Sequence, residues 1–214
     1  MSEEKKDSHQ TQPLIGGMTG VILAGGRSSR FGKNKALVEI GGTRLIDRVV
    51  SKMESVFHRL VIISNTPQEY SYLKLPIFTD LIKGLGPVGG IYTGLEVIED
   101  EMGFFVACDM PFINEKLIRY IVDVKEDFDA VVPKIDWMME PLFALYRKSC
   151  LPTIKNMIES GIFQIHKAYQ MIRVRYVNEK EIRKHDPELQ SFLNINRPDE
   201  LLDVMALGKK PLKK

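Results

Sequence analysis

The chain predicts an α/β fold: one domain on a mostly parallel, twisted sheet with helices on both faces. Three observations carry this. Short, almost wholly apolar runs recur at residues 21–24, 60–64 and 103–108, as expected for strands buried on both faces. Segments with helical spacing of apolar residues separate them. Glycines, prolines and acids gather just after the apolar runs, where a parallel sheet presents its loops.

The elements follow in order. Residues 21–24 form a short strand. Leu45, Ile46, Val49, Val50, Met53, Val56 and Phe57 then fall on one helical face. Residues 60–64 form the second strand and 76–79 a short third one. A helix runs from Pro87 to about Ile98, because proline suits a first helical turn. Residues 103–108 form a long strand. Asn114 caps a helix reaching about Val124, with Leu117, Ile118, Ile121 and Val122 as its buried stripe. Beyond it the rhythm loosens. Residues 130–133 and 141–146 read as strands, 151–160 as a helix, 171–177 as an alternating strand and 198–207 as a closing helix. The folded domain is expected over residues 18–207, between a disordered polar tail at 1–17 and a basic tail at 208–214.

Composition narrows the function. A length of 214 residues suits one sizeable domain. The net charge of +2 gives no field for general nucleic-acid binding. Cys108 and Cys150 are the only cysteines and have no metal or CxxC spacing. They read as buried thiols in a reducing cytoplasm, so a cytoplasmic location is expected. No apolar run reaches the ~18 residues that span a bilayer. The amino-terminal Met-Ser-Glu-Glu-Lys-Lys lacks the apolar stretch of a signal peptide. The four histidines, His9, His58, His166 and His185, show no metal spacing, and no Ser-His-Asp or Cys-His arrangement is evident.

The loop after the first strand carries the strongest chemical signal. Gly25 and Gly26 end the apolar run, and Arg27, Arg30, Lys33 and Lys35 follow. Glycines let backbone approach a phosphate closely and tolerate positive φ. Exposed N–H groups and cationic side chains then face anionic oxygens. Two familiar phosphate loops fail on spacing. Five residues separate Gly26 from Gly32 and Asn34 follows Lys33, whereas a Walker A loop needs four and then a hydroxyl. Residues 25–32 also lack the dinucleotide G-x-G-x-x-G.

Three further loops carry polar groups. Asp109 stands just past the strand at 103–108, where an acid needs a partner. Mg²⁺ is the obvious one, since it favours carboxylates plus phosphate oxygens; a turn acid before Pro111 is the alternative. Residues 79–90 include Asp80 and a G-x-G-x-x-G at Gly84, Gly86 and Gly89. Pro87 interrupts that motif, so it reads as a sharp turn that starts a helix. Asn65, after the second strand, can reach a base or ribose or simply make a turn. Trp137, the only tryptophan, can stack on a flat heterocycle or cap the core. Asn194 and Asn196 lie on one strand face, as ligand-binding amides or as a strand-to-helix cap.

Leu23, Ala24, Gly25, Gly26, Arg30, Gly32 and Lys35 match the L-A-G-G-x-x-x-R-x-G-x-x-K signature of the nucleotidyltransferases. Added to it are D-x-x-x-G-x-G-P-x-G-G from Asp80, C-D-M-P-F around Asp109, P-L-F-A-L-Y from Pro141 and N-I-N-R-P-D-E-L from Asn194. In that order the blocks resemble the molybdenum cofactor guanylyltransferases, over residues 18 to 207. The resemblance implies a Rossmann-like nucleotidyltransferase fold and transfer of GMP from GTP to the terminal phosphate of molybdopterin, with Mg²⁺ and release of pyrophosphate. It implies GTP contacts at Leu23, Ala24, Gly25, Gly26, Lys35, Asn65, Asp80 and Asp109. Lys35, Asp109 and Arg30 would carry catalysis, with the metal on Asp109. Asn194 and Asn196 would lie towards the pterin. Molybdenum-cofactor biosynthesis or acceptor proteins would be its partners, without nucleic acid or membrane. Two departures stand out: Asn34, where many relatives carry an acid, and Arg197, where threonine is common. The rival readings are a cytidylyltransferase or other nucleotidyltransferase for molybdopterin or a small phosphorylated metabolite, a silent nucleotide-binding subunit, and a nicotinamide-dependent oxidoreductase using Gly84–Gly89.

Overall fold

The computed structural model describes residues 12–25 and 34–194. Their first strand, β1 (Ile15–Leu23), starts earlier than the sequence suggests. Residues 15–17, expected in the tail, belong to it: the Ile15 N–H donates to the Val56 carbonyl at 2.7 Å. Next come a small hairpin, β2 (Glu39–Ile40) and β3 (Thr43–Arg44), and helix α1 (Leu45–Glu54). The hairpin turns on Gly41 and Gly42, whose φ values of 59° and 80° only glycine adopts readily. α1 ends before Val56 and Phe57, which the periodicity had joined to it. Phe57 instead opens β4 (Phe57–Ile63).

The chain continues through β5 (Ile77–Phe78), α2 (Pro87–Val97), β6 (Met102–Ala107) and α3 (Glu115–Asp123). Asn114 caps α3 as expected, its side chain accepting from the Lys116 N–H. The rest comprises β7 (Ala130–Ile135), β8 (Met138–Met139), β9 (Phe143–Arg147), α4 (Leu151–Glu159), β10 (Val174–Asn178) and α5 (Glu179–Ile182). β10 starts three residues later than the alternation suggested. The helix expected at 198–207 and the tail at 208–214 lie outside the described residues.

The main sheet has strand order β10-β7-β9-β6-β1-β4-β5, with β8 on β7. β1 pairs in parallel with β4 and β6, as do β4 with β5 and β7 with β10. β9 is antiparallel to both β6 and β7, and β8 is antiparallel to β7. The sheet is thus mostly parallel, with β9 reversed inside it and β8 reversed beside β7.

Alternation along the strands builds two cores. Ile22, Ile62, Phe104, Val106, Phe143 and Leu145 face α1 and α3. Val21, Ile63, Phe105, Val132 and Tyr146 face α2 and α4. Helices on both faces follow directly. Gly94 lets α2 approach closely, because a Cβ there would stand 2.5 Å from a Phe105 ring carbon.

Candidate functional site

The parallel strands β1, β4, β5 and β6 all end at one rim, so the loops after them share it. Leu23 and Ala24 are buried and held by the sheet. The Ala24 N–H donates to the Ile63 carbonyl at 2.9 Å, and the Cys108 N–H donates to the Leu23 carbonyl at 3.1 Å. These bonds lock the exits of β1, β4 and β6 together. Gly25 then emerges exposed, with no described residue within 4 Å of where a Cβ would sit. Its φ lies outside the left-handed range. Among the described residues, the missing side chain at Gly25 therefore keeps the rim uncovered rather than permitting a twist. Gly26 and Arg30 lie outside the described residues.

Lys35 opens a short turn, Lys35–Leu37, capped by Asn34. Its ammonium sits 2.7 Å from Asp109 Oδ2, with the two side chains 15% and 24% exposed. A strand-end acid needs a partner, and lysine supplies one across 74 residues of chain. Asn34 anchors the same turn. Its Oδ1 accepts from the Ala36 N–H at 3.1 Å, and its amide donates to Glu69 at 2.5 Å and to the Tyr70 hydroxyl at 2.7 Å. Burial pushes the Tyr70 hydroxyl up to about 12, so it stays protonated. Thr66 also donates to Glu69, at 2.6 Å. An acid at position 34 would face Glu69 directly, whereas an amide bonds to it. Glu69 and Tyr70 sit in a polar turn, Pro67–Leu73, and no sequence pattern singles them out.

On the β4 and β5 side, the Asn65 amide donates to Asp80 at 2.7 Å. The loop after Asp80 turns sharply and starts α2. Gly84 and Gly86 have φ values of 84° and 61°, and Pro87 is the first helical residue. The Leu81 N–H donates to Thr93 Oγ1 at 3.0 Å, tying the loop to the helix it precedes.

On the other flank, β9 starts at the same rim because it runs antiparallel to β6. The Ala107 N–H donates to the Leu142 carbonyl at 3.0 Å. Trp137 does not cap the core. It stands 80% exposed on the β7–β8 turn, after Asp136 with φ 52°. Asn194 is exposed at the end of the described chain. Two residues before it, Phe192 packs edge-to-face on Phe143, with ring centroids 5.2 Å apart. The Asn114 N–H donates to Ser191 Oγ at 3.0 Å, pinning this segment to the loop after β6. Asn194 thus lies towards the β9 flank, while Asn196 falls outside the described residues.

Divalent-metal chemistry fits this donor set in a limited sense. Mg²⁺ is held by one or two carboxylates together with substrate phosphates. Asp109 supplies one carboxylate. Among the described residues no group of three His, Cys, Asp or Glu side chains forms a ready-made cage.

The sequence that builds this rim matches a known family. The model of the MobA-like NTP transferase domain covers residues 20–176. The chain belongs to the MobA-like NTP transferase family. The molybdenum cofactor guanylyltransferase of Desulfosudis oleivorans is 42% identical to this MobA-like chain over 194 residues, 90% of the chain and 96% of that protein. A probable molybdenum cofactor guanylyltransferase of Peptoclostridium acidaminophilum is 36% identical over 198 residues, covering 89% of this chain and 88% of its own. The crystal structure of molybdopterin-guanine dinucleotide biosynthesis protein A from Archaeoglobus fulgidus superposes with a TM-score of 0.79 at 30% identity, over 91% of this chain and all of that one. A CMP-2-keto-3-deoxy-manno-octonic acid synthetase, at 14% identity and TM-score 0.64, shares the fold. This MobA-like chain is a nucleotidyltransferase, an enzyme of molybdenum cofactor biosynthesis.

Proposed function

We propose that this chain transfers GMP from GTP to the terminal phosphate of molybdopterin and releases pyrophosphate. The pairing of Lys35 with Asp109 at the rim of a MobA-like fold is the observation that carries the reading. The triphosphate lies over the exit of β1, where Gly25, with no side chain and no described residue close to it, lets phosphate oxygens reach backbone N–H groups. Gly26 and Arg30 complete the phosphate-binding signature that Leu23 opens in the sequence. Lys35 neutralises phosphate charge. Asn65 and Asp80 hold the nucleoside on the β4 and β5 side.

An oxygen of the acceptor phosphate attacks the α-phosphorus of GTP in line. A P–O bond forms there as the bond to the bridging oxygen breaks, and pyrophosphate leaves with the electron pair. The attacking phosphate is already anionic, so no general base is needed. Positioning and charge neutralisation carry such transfers. Asp109 would hold Mg²⁺, which when bound offsets charge on the phosphate oxygens. Asn194 and Asn196 are the amides assigned to the acceptor. The free thiols Cys108 and Cys150 fit a cytoplasmic setting. Cofactor-synthesis or acceptor proteins are the expected partners.

Pyrophosphate release tests this reading, with Mg²⁺, molybdenum-loaded molybdopterin and each of GTP, CTP, ATP and UTP. Release with GTP alone is expected. Release with CTP alone would transfer the base assignment to a cytidylyltransferase. No release from protein that still binds GTP would sink the acceptor assignment.

A further inference from the structure

Glu140 is a carboxylate with an unusual position. It follows β8 and precedes Pro141, on the flank of the rim away from Asn65 and Asp80. It is half-buried. Among the described residues its side chain makes no hydrogen bond or ion pair. The basic residue of the adjacent hairpin is engaged elsewhere, with the Lys134 ammonium 5.9 Å from the Tyr176 ring centre on β10. Loss of hydration pushes its carboxyl above its usual range.

The backbone that carries Glu140 is fixed at four points. Its N–H donates to the Pro133 carbonyl at 2.9 Å, and its own carbonyl accepts from the Phe143 N–H at 3.2 Å. The Pro141 carbonyl accepts from the buried Tyr146 hydroxyl at 3.0 Å. The Leu142 carbonyl is bonded to Ala107, two residues before Asp109. An acid withdrawn from water without a partner costs free energy, and such costs persist where a ligand supplies the missing donors. A rigid mount of this kind suits recognition.

The flank decides which ligand. In the reading proposed above, nucleoside and triphosphate lie over the ends of β5, β4 and β1, and Asp109 follows β6. The next strand in the sheet is β9, whose entry carries Glu140. That placement leaves the β9 side for the acceptor. A pterin presents a 2-amino group and a ring N–H side by side, a donor pair that matches the two oxygens of one carboxylate.

We infer that Glu140 recognises the acceptor by accepting hydrogen bonds from the 2-amino and ring N–H edge of its 2-amino-4-oxopteridine. This rests on the transfer reaction proposed above. Glu140 is a specificity residue and takes no part in the phosphoryl step.

The test uses the full chain and its E140Q variant, which keeps shape but removes the second acceptor oxygen. Binding of free pterin (2-amino-4-oxopteridine) and of lumazine, which has oxygen in place of the amino group, is read by calorimetry. Steady-state turnover is read separately. Wild type should prefer pterin to lumazine by about tenfold or more, the scale of a charge-assisted hydrogen bond, and E140Q should lose that preference. The acceptor KM should rise about tenfold or more in E140Q, with the GTP KM unchanged and the melting temperature not lowered. Equal binding of pterin and lumazine by wild type would overturn the inference. So would a preference that survives in E140Q, or a rise confined to the GTP KM. If wild type turns over no acceptor yet still shows Glu140-dependent pterin preference, the transfer reading fails and the recognition site stands.

Discussion

Replacing Lys35 by alanine separates a structural ion pair from a phosphate-binding one. The pair is short, at 2.7 Å, and both partners are less than a third exposed. It lies between an exposed pair, worth about 0–1 kcal/mol, and a fully buried one, whose disruption costs about 3–5 kcal/mol. A stability loss of about 1–2 kcal/mol is therefore expected. For a chain of this size that lowers Tm by roughly 2–8 °C, and the protein stays folded at 25 °C. Loss of a charge-stabilising group at the reacting phosphate should instead lower kcat/KM by about 10²–10³, or roughly 2.7–4 kcal/mol. The assay pairs thermal denaturation with pyrophosphate release from GTP on the same preparation. A Lys35→Ala, Asp109→Ala double variant should lose less than the sum of the singles, because the two groups act together. If Lys35→Ala lost the expected stability but kept kcat/KM within about threefold, the pair would be structural and the phosphate role refuted.

Other perturbations test the frame around the site. Gly94→Val should cost about 3 kcal/mol and lower Tm by roughly 6–12 °C. Its Cβ would stand 2.5 Å from Phe105, whose ring is itself packed 5.5 Å from Tyr146, leaving no room to shift. An unchanged melting curve would contradict that contact. Asn34→Asp should cost about 1 kcal/mol at low salt by facing Glu69 with a like charge. Urea titrations should show part of that cost relieved at 1 M salt, to which ~3 Å of screening length corresponds. Burial and the neighbouring Asp129 push the Cys150 thiol up from an ordinary 9.0 to about 12. The unfolded chain therefore releases this proton first. Its contribution to stability is complete below about pH 9 and is lost as pH rises towards 12. Urea midpoints should fall across that window, and less so in Cys150→Ala.

Much of the fold was legible because β1, β4 and β6 are buried on both faces and so read as unbroken apolar runs. Their order and the helices between them follow from the right-handed parallel crossover. The insertion of β9 between β6 and β7 was not legible, since pairing across the sheet leaves no local periodicity. Residues 15–17 were lost to the tail because Gly16 and Gly17 break the apolar pattern before Met18. Phe57 kept helical phase with α1 while belonging to β4, so spacing alone misplaced the boundary.

At the site, Lys35 and Asp109 each stood out from their own surroundings, as a glycine-loop lysine and a strand-end acid. Their 2.7 Å contact is tertiary and could not be read from a separation of 74 residues. Glu69 and Tyr70 gave no signal, because a polar turn looks the same whether or not it anchors Asn34. Trp137 fitted core and surface alike until its exposure decided the matter. Glu140 lay in an acidic loop whose burial only the sheet reveals.

The central claim is transfer of the α-phosphoryl group with its guanosine, and the fate of label tests it most directly. GTP labelled separately at the α- and γ-phosphates is incubated with molybdenum-loaded molybdopterin and Mg²⁺, and the products are separated. Guanylyl transfer requires the α-label in a guanine dinucleotide of the pterin and the γ-label in pyrophosphate. The γ-label on the acceptor, or the α-label only in free GMP, would contradict it.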